Sequence, residues 1–372
     1  MLFRTTKGIF QDALEKVVRA CTKTNLNENL DGVLLEVKDG KVTLMCTDLI
    51  TTIKAAFTCM DFENGAILVN SKFLLSYVKA LPNQELLIKS EEKDNSVSIV
   101  SGKSQSNIVS MDINAFPVIK PIKSKVEVNV ISEEFKKALK EVIFAVAHDE
   151  TRPVLTGVFF EVKNGKLTLV ALDGYRMCVS SLPVDCDENV SFIVPQKSAL
   201  ELQRILENDE QNVNVKISKG IIEFAFNEVF ISSVPLEGSY IKWEKIIPEN
   251  SDTVCTIDRM DLASVLSRAA AILTGENKLV KLSFTKDGNL DLLAKSSIGR
   301  VEEEIKVKDF QGSELKIAFN SKYISDVLLS QEDDELEFDF SNNVSPVVIK
   351  KKDSDNYTGI VLPVRLINVN KM

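Results

Sequence analysis

One short pattern occurs three times in this chain: an apolar run, a tight turn that contains glycine, and a second apolar run. The turn glycines are Gly40, Gly165 and Gly288, which lie 125 and 123 positions apart in a chain of 372 residues. Asp-Gly or Asn-Gly between alternating apolar residues predicts a β-hairpin with a type I′ turn, which needs positive φ at both central residues. A hairpin that recurs at almost one third of the chain length indicates one domain built three times.

Two helical patterns recur at the same interval. Lys72, Lys197 and Lys322 are spaced 125 residues apart, and each stands near the start of a segment whose apolar residues follow helical spacing. An earlier helix is predicted to open each repeat, over residues 8–21, 132–147 and 258–273. Every repeat is therefore expected to contain helix, strands, helix and strands, which is an α+β fold. We place the three domains at residues 1–124, 125–251 and 252–372.

The distribution of charge is more informative than its total. The formal net charge is −9 at pH 7, whereas nucleic-acid-binding domains usually have a pI above about 9. Basic residues nevertheless share faces of the predicted helices, and the acidic runs at 207–210, 302–304 and 332–335 lie largely elsewhere in the sequence. Such a chain can hold a polyanion on one surface and repel it from the rest. An ordinary solvated face is the alternative explanation for any one of these helices.

Residues that would indicate an enzyme are sparse. The only histidine is His148, and the sequence has neither a GxxxxGK[ST] phosphate loop nor a GxGxxG motif. Asp48 and Asp173 recur after the hairpins, where Ser296 occupies the third copy, and an aspartate in that place is more often a turn residue than an acid catalyst. Two functions remain open on these residues. One is a DNA-processing hydrolase, with its site formed between repeats by acids of two domains, and the other is a multidomain scaffold that binds something other than DNA. No metal or cofactor is expected.

The cysteines and the hydropathy indicate where in the cell the protein is found. The six cysteines form no CxxC pair, which favours reduced and mostly packed thiols in a cytoplasmic protein. No stretch approaches the length of about 20 apolar residues that a membrane span requires. We therefore expect a cytoplasmic protein that does not interact with a membrane.

Several local motifs resemble those of a known family. They are Arg152 to Gly157 (RPVLTG), Asp173 to Met177 (DGYRM), Phe319 to Tyr323 (FNSKY) and Leu362 to Leu366 (LPVRL). Together with the three repeats, they make the chain similar to the bacterial DNA polymerase III sliding clamp, the beta subunit or processivity factor, over essentially its whole length. The resemblance implies three DNA-clamp domains, each with two helices backed by antiparallel sheet, in a head-to-tail homodimeric ring.

The resemblance also implies a function without catalysis. Such a ring encircles duplex DNA and tethers the replicative polymerase, which gives processivity. Its contacts with DNA are independent of sequence, and retention is topological. The expected partners are double-stranded DNA, a second copy of the chain, the replicative DNA polymerase, the clamp loader, and repair polymerases or other proteins that carry clamp-binding peptides.

The family's architecture places the basic helices inside the ring. The residues expected to face DNA are Lys16, Arg19, Lys23, Lys72, Lys79, Lys136, Lys140, Arg152, Lys197, Arg204, Arg268 and Lys322. Ring closure in the family pairs an edge strand of the first domain with the third, which here implies a small apolar interface of Ile108, Ile272 and Leu273. Internal packing is the alternative role for those three residues.

Partners in the family insert a short peptide between the second and third domains. The implied groove residues are Leu155, Leu172, Gly174, Tyr175, Arg176, Met177, Ile241, Lys245, Ile246, Val344, Ile360, Val361, Leu362, Pro363, Val364 and Arg365. Core packing is the alternative for the aliphatic members. The chain departs from the family pattern at Tyr175, where histidine is common, at residues 241–243, and in the loop 275–279, which lacks the usual aromatic residue.

Overall fold

The computed structural model of the chain describes residues 1–21, 28–91, 95–119, 122–149, 151–274 and 278–365. The same order of elements occurs three times in them: one strand, a helix, four or five strands, a second helix and three strands. This triplication confirms the predicted α+β fold. The positions of the domain boundaries stay a prediction.

Among the described residues, each repeat has two α-helices and eight or nine strands. The first repeat contains β1 (Leu2–Thr6), α1 (Lys7–Val17), β2 (Gly32–Lys38), β3 (Lys41–Thr47), β4 (Thr51–Thr58), β5 (Met60–Glu63), β6 (Gly65–Asn70), α2 (Ser71–Ala80), β7 (Glu85–Glu91), β8 (Ser96–Ser101) and β9 (Ser104–Met111). The second contains β10 (Val126–Ile131), α3 (Ser132–Val142), β11 (Gly157–Lys163), β12 (Lys166–Leu172), β13 (Arg176–Pro183), β14 (Val190–Pro195), α4 (Gln196–Ile205), β15 (Asn212–Ser218), β16 (Ile221–Phe226) and β17 (Val229–Ser233). The third contains β18 (Thr253–Asp258), α5 (Arg259–Ile272), β19 (Leu279–Phe284), β20 (Asn289–Lys295), β21 (Arg300–Lys306), β22 (Lys308–Gly312), β23 (Leu315–Asn320), α6 (Ser321–Ser330), β24 (Glu335–Phe340), β25 (Val347–Lys351) and β26 (Ser354–Val361).

The described residues form two compact units. The first unit takes residues from 1–136 and 197–235, and the second takes residues from 137–196 and from 236 onward. In the first, β4 of repeat one pairs with β17 of repeat two inside a 13-stranded sheet. In the second, β13 of repeat two pairs with β26 of repeat three inside a nine-stranded sheet, beside a separate four-stranded sheet. Strand pairing thus joins consecutive repeats.

The hairpin turns differ from the prediction in one copy. Asp39-Gly40 and Asn164-Gly165 have positive φ at both central residues, at +51° and +77° and at +52° and +71°, as a type I′ turn requires. In the third copy only Gly288 has positive φ, at +72°, and its N–H donates to the Thr285 carbonyl over 3.1 Å. That arrangement is a longer turn with glycine at its last position. The type I′ prediction is therefore confirmed twice and wrong once.

The helices bury one apolar face against the sheet. In α1, Phe10, Leu14 and Val17 are fully buried. The Phe10 ring meets the rings of Phe3 and Phe57 edge to face, with centroids 5.8 and 6.4 Å apart, an arrangement that aromatic pairs favour. Such packing leaves the opposite face of the helix for polar and basic residues, as the sequence predicts.

The second helices of repeats one and three begin at asparagine caps. The Asn70 side chain accepts a hydrogen bond from the Phe73 N–H over 2.9 Å, and Asn320 accepts one from Lys322 N–H over 3.0 Å. Each bond satisfies one backbone donor that the helix itself leaves unpaired.

We expect Asn70→Ala to lower the free energy of unfolding by about 1 kcal/mol, because the substitution removes this cap. The measurement is the shift of the denaturation midpoint. Asn70→Asp keeps an acceptor oxygen and serves as the control, with a much smaller loss. Equal losses in the two variants would contradict the capping role.

Candidate DNA-facing and peptide-binding surfaces

A cleft in the first compact unit contains four of the predicted DNA-facing residues. Its volume is about 420 Å³, and α1, α3 and the end of α4 provide most of its lining. The four cations face three carboxylates, and the lining residues with charge are Asp12, Glu15, Lys16, Arg19, Lys136, Arg204 and Glu207. The net charge of +1 makes this a weakly attractive surface for phosphate rather than a strongly basic one.

Hydrogen bonds pair these cations with acids. Lys16 Nζ lies 2.8 Å from Asp12 Oδ2 and 3.8 Å from Glu207 Oε1. Arg19 and Arg204 both donate to the Glu201 carboxylate, over 3.3 and 2.7 Å. Arg19 and Arg204 are themselves 42% and 47% exposed, whereas the Glu201 carboxylate that they share is only 9% exposed. Either arginine can turn to an incoming phosphate while the other stays paired with Glu201.

The two lysines of α2 are also accessible. About half of each side chain is exposed, 50% for Lys72 and 51% for Lys79. Lys79 Nζ lies 3.1 Å from Glu15, and Lys72 Nζ lies 3.9 Å from Asp31. A hydrogen bond from Gln11, followed by that from Lys79, lowers the pKa of the Glu15 carboxyl. The partner carboxylate therefore stays charged at neutral pH.

Lys197 differs from the other lysines because its ammonium group is held by two partners. It donates to the Ala20 carbonyl over 2.7 Å and to the Asp48 carboxylate, whose side chain is only 7% exposed. A lysine held in this way stabilises the turn at Asp48. Its side chain is also less exposed than that of Lys72, at 34% against 50%.

The second compact unit contains four more of the predicted cations. Lys140 donates to Glu332 over 2.8 Å, and Lys322 donates to Asp326 over 2.9 Å. Arg268 forms two hydrogen bonds with the Glu303 carboxylate, over 2.6 and 3.0 Å. Arg152 is exposed just before the turn that begins at Pro153. Lys23 lies outside the described residues.

These contacts correct one expectation from the sequence. The acidic runs that begin at residues 207, 302 and 332 were expected to lie apart from the basic helices. Instead Glu207, Glu303 and Glu332 each pair with a predicted DNA-facing cation. The fold brings acids and bases together that are distant in sequence, so the helical faces are mixed in charge.

An apolar cluster in the second unit contains five of the sixteen predicted groove residues. Leu155, Leu172, Met177 and Ile360 are buried in one cluster, and Ile241 packs against it. Other members were missing from the prediction, namely Ala147, Val154, Phe159, Val170, Val179, Tyr240, Trp243 and Ile247. Phe159 and Tyr240 stack with ring centroids 4.7 Å apart. Trp243, at one of the sequence departures, contributes an aromatic surface to the cluster.

Other predicted groove residues are exposed to solvent. Five predicted groove residues present apolar side chains to solvent, with exposed fractions of 37% to 59%: Tyr175, Ile246, Val344, Leu362 and Val364. Lys245 and Arg365 are exposed as well, Pro363 is half-buried, and Gly174 adopts a φ of +90°. Val361, by contrast, is fully buried. Val361 therefore has no exposed surface of its own to offer a peptide.

Arg176 is buried and has several partners. It donates to Asp173 over 3.0 Å, to Asp326, and to the Phe144 carbonyl over 2.8 Å. Its guanidinium also lies over the Tyr323 ring, 4.9 Å from the centroid. Burial lowers the pKa of Arg176, but the hydrogen bonds and charges of Asp326 and Asp173 outweigh it and the net pKa is raised. Arg176 therefore stays charged and positions its neighbours.

The ring of Tyr175, which follows Asp173 and Gly174, contacts a residue of this network. Tyr175 stacks on Tyr323 with centroids 5.6 Å apart and an interplanar angle of 19°. Tyr323 thus contacts both the Tyr175 ring and the Arg176 guanidinium. The sequence signal for Tyr323 was present in the FNSKY motif, but only the fold shows what it contacts.

The recurring aspartates act as turn residues, as the sequence predicts. Asp48 Oδ1 accepts hydrogen bonds from the backbone N–H groups two and three positions later, over 3.0 and 2.6 Å, and Asp173 Oδ1 does so over 2.9 and 3.0 Å. In the third repeat Ser296 Oγ accepts from the N–H group two positions later, over 3.2 Å. Within the described ranges, no three or more His, Cys, Asp or Glu side chains are grouped to hold a metal ion. None of these contacts favours the hydrolase alternative.

The predicted dimer residues lie at or near two sheet edges. On β9, Ile108 is buried opposite Val97, while Val109 is 74% exposed. Leu273 is buried and Ile272 is half-buried at the end of α5. Residues 104–109 of β9 pair with β8 alone, and β21 pairs with β20 alone, among the strands described. Each edge thus offers unpaired backbone groups to another strand.

Comparisons with known proteins find the same family over nearly the whole chain. Sequence models of the N-terminal, central and C-terminal domains of the DNA polymerase III beta subunit match residues 1–120, 129–242 and 244–365. A beta sliding clamp of Staphylococcus aureus is 29% identical over 98% of this chain and 99% of its own. Separately, none of the described helices is both long and apolar enough to cross a bilayer.

Solved structures of sliding clamps have the same fold as this chain. The DNA polymerase sliding clamp of Bacillus subtilis superposes with a TM-score of 0.93 at 25% identity, covering 98% of this chain and 99% of that one. The beta subunit of Thermotoga maritima gives 0.91 at 30% identity, with the same coverage. A Pseudomonas aeruginosa clamp bound to griselimycin gives 0.93 at 26% identity, covering 98% and 100%.

Three such domains with these relatives define a DNA sliding clamp, a non-catalytic processivity factor of replication. The chain belongs to the DNA polymerase III beta subunit family.

Proposed function

We propose that two copies of this chain close head to tail into a ring that holds duplex DNA by enclosure. The observation that carries this proposal is the pairing of the predicted DNA-facing cations with carboxylates. Compensated cations bind phosphate weakly, so affinity alone would not retain the protein on DNA. Enclosure needs no strong grip, and exchangeable lysine contacts allow the ring to slide.

The free edges of β9 and β21 support closure of the ring. An antiparallel pairing of β9 from one copy with β21 from the other would satisfy backbone groups on both edges. Ile272, half-buried beside this edge, would then contribute apolar contact, whereas Ile108 and Leu273 are already buried within their own chain and would support it from beneath. We expect a particle of twice the 41.4 kDa chain mass in solution. Light scattering that gives the monomer mass at working concentration would contradict the ring.

We further propose that the apolar cluster around Leu155 and Leu172, with the exposed residues Tyr175, Val344 and Leu362, binds partner peptides. An apolar floor with a few polar groups suits the anchor residues of such a peptide. The partners are the replicative polymerase, the clamp loader and repair polymerases, which would compete for one surface in the cytoplasm. A tethered polymerase rebinds the primer end quickly because its effective concentration there stays high.

The central experiment compares DNA topologies. The protein is loaded onto nicked circular DNA by an ATP-dependent loader, and its retention is followed after the circle is cut to a linear form. We expect long retention on the circle and rapid loss from the free ends. Equal retention on the two forms would contradict topological linkage, whatever the affinity for DNA.

Charge reversal on the accessible helix face is expected to impair processive synthesis. Lys72, Lys79 and Arg204 are about half exposed, so glutamate side chains at these positions stay solvated and repel phosphate. The nearly buried Glu201 carboxylate, which loses Arg204, keeps Arg19 as its partner. We expect the product length per binding event to fall roughly tenfold. The reduction should be larger at low salt, because salt screens the repulsion between the glutamates and phosphate. The measurement is primer extension under single-hit conditions.

The matched control reverses three exposed lysines on hairpins instead. Lys38, Lys163 and Lys219 carry the same total charge and are exposed at strand ends or turns. Their replacement by Glu should leave processivity near the unmodified level. Comparable losses in the two triple variants would contradict the assigned DNA face.

A further inference from the structure

The turn between β3 and β4 in the first repeat presents two apolar side chains to solvent. Leu49 is 58% exposed and Ile50 is 52% exposed. Val234, which directly follows β17, is 41% exposed, and its N–H donates to the Ile50 carbonyl over 2.9 Å. These three aliphatic residues, called the first-unit surface below, therefore lie close together within the first compact unit.

Leu49 has a backbone conformation that leucine rarely adopts. Its φ is +76°, and it is the one apolar residue among the described non-glycine residues with positive φ. The region favours glycine because a Cβ atom is crowded there, and Gly174 occupies the corresponding position of the second repeat with a φ of +90°. Thr47 Oγ1 accepts from the Leu49 N–H over 3.0 Å and helps to fix the turn. Because Leu49 is more than half exposed, packing within the chain offsets little of this strain, which points to a contact outside the chain.

The same turn in the second repeat carries part of the proposed peptide surface. Ile50 and Tyr175 are 125 positions apart, which is the interval of the repeat. Leu362 follows β26 and donates its N–H to the Tyr175 carbonyl over 2.8 Å, as Val234 does to Ile50. Tyr175 is 59% exposed and Leu362 is 40% exposed, close to the values for Ile50 and Val234. The first-unit surface therefore repeats the backbone geometry and the exposure of the peptide surface.

The residues that flank the two turns differ in polarity. In the second repeat Leu172 and Met177 pair across β12 and β13, and both belong to the apolar cluster. In the first repeat the corresponding pair is Thr47 and Thr52, whose buried hydroxyl groups are hydrogen-bonded to each other over 2.7 Å. Two large apolar side chains are thus missing, and we expect binding here to be at least about 100-fold weaker than at the peptide surface.

We propose that the first-unit surface is a second, weaker docking site for peptide segments with adjacent leucine and phenylalanine side chains. The inference rests on the proposed peptide-binding function of the second unit. The occupant is the same class of segment because the turn, the strand-end hydrogen bond and the exposed apolar side chains are the same. Leu49 and Ile50 cover such anchor side chains with aliphatic contact. A site this weak acts on a partner that is already held by the protein, where its effective concentration is high.

The experiment compares the full chain with a chain that ends at Val361, which lacks Leu362 and Val364 but keeps the first-unit surface. The probe is a glutamine-led peptide that ends in leucine and phenylalanine and carries a photoreactive group, and peptide mapping locates the crosslinks. In the shortened chain we expect crosslinks within residues 47–52 and 232–235, with an affinity at least about 100-fold below that of the full chain.

Two results would overturn the inference. If the full chain is crosslinked at the second-unit surface but neither chain is crosslinked within residues 47–52 or 232–235, the second site is absent while the proposed peptide-binding function stands. If neither chain is crosslinked at all, both the second site and the proposed peptide-binding function fail.

Leu49→Gly separates a contact from a role in folding. Glycine adopts a φ of +76° without strain, which offsets its greater freedom in the unfolded chain, so the unfolding temperature should stay about the same. Peptide binding by the shortened chain should nevertheless fall at least about fivefold, because an apolar contact is lost. Met60→Ser is the matched control, since it removes another apolar side chain of the first unit, 76% exposed, and should leave binding unchanged. Equal losses in the two variants, or a lower unfolding temperature for Leu49→Gly with unchanged binding, would overturn the inference.

Discussion

Replacing Arg176 by alanine is expected to lower the free energy of unfolding of the second compact unit by about 3 kcal/mol. The substitution leaves the carboxylates of Asp173 and Asp326 without their buried counter-ion and deprives the Phe144 carbonyl of its donor. Breaking a buried pair by removing one partner typically costs about 3 to 5 kcal/mol. The lower end applies because the side chains of Asp173 and Asp326 are 15% and 25% exposed and remain partly solvated.

The single tryptophan allows the stability of the second compact unit to be measured separately. Trp243 packs against the apolar cluster of the second unit, so its fluorescence during urea denaturation reports that unit. Lys322→Ala is the control, because Lys322 also donates to Asp326 but its side chain is 58% exposed. Exposed pairs contribute at most about 1 kcal/mol, so its midpoint should hardly move. Similar midpoints for the two variants would show that the Arg176 network does not stabilise the unit.

Deletion of residues 362–372 is expected to reduce the affinity for a clamp-binding peptide at least about 100-fold. A short apolar anchor loses roughly 1.5 to 3 kcal/mol for each large side chain that is no longer buried, and the deletion removes two exposed anchoring surfaces, Leu362 and Val364. The segment is fixed in place by hydrogen bonds from Leu362 N–H to the Tyr175 carbonyl, 2.8 Å, and from Val364 N–H to the Ala318 carbonyl, 2.7 Å. It is therefore a formed part of the surface before any peptide arrives.

The measurement is fluorescence anisotropy of a labelled peptide with a glutamine-led sequence that ends in leucine and phenylalanine. A chain that stops after Arg365 retains the hydrogen-bonded segment and is the matched control, with affinity near that of the full chain. Both shortened chains should keep the dimer mass. Unchanged affinity after removal of Leu362 and Val364 would contradict the groove, and equal losses in the two deletions would place the contact beyond Arg365.

Local patterns predicted the repeated elements well because they depend on neighbours in the chain. Alternating apolar residues around Gly40 and Gly165 specified hairpins, and the spacing of Lys72, Lys197 and Lys322 located the second helices. The turn at Gly288 escaped prediction, since Asp-Gly also occurs where glycine closes a longer turn. The joining of β4 to β17 and of β13 to β26 had no signal in the sequence, because one strand edge resembles another.

The sequence by itself determined that one domain occurs three times, which residues form its helices, and that Asp48 and Asp173 close turns. The tertiary structure decided how charge is arranged, since Lys16 meets Glu207 and Lys140 meets Glu332 across nearly two hundred positions. It also decided that Arg176 is buried. Backbone preferences are local and can be read from adjacent residues, whereas electrostatic pairing depends on distances of a few ångströms that only the folded chain creates.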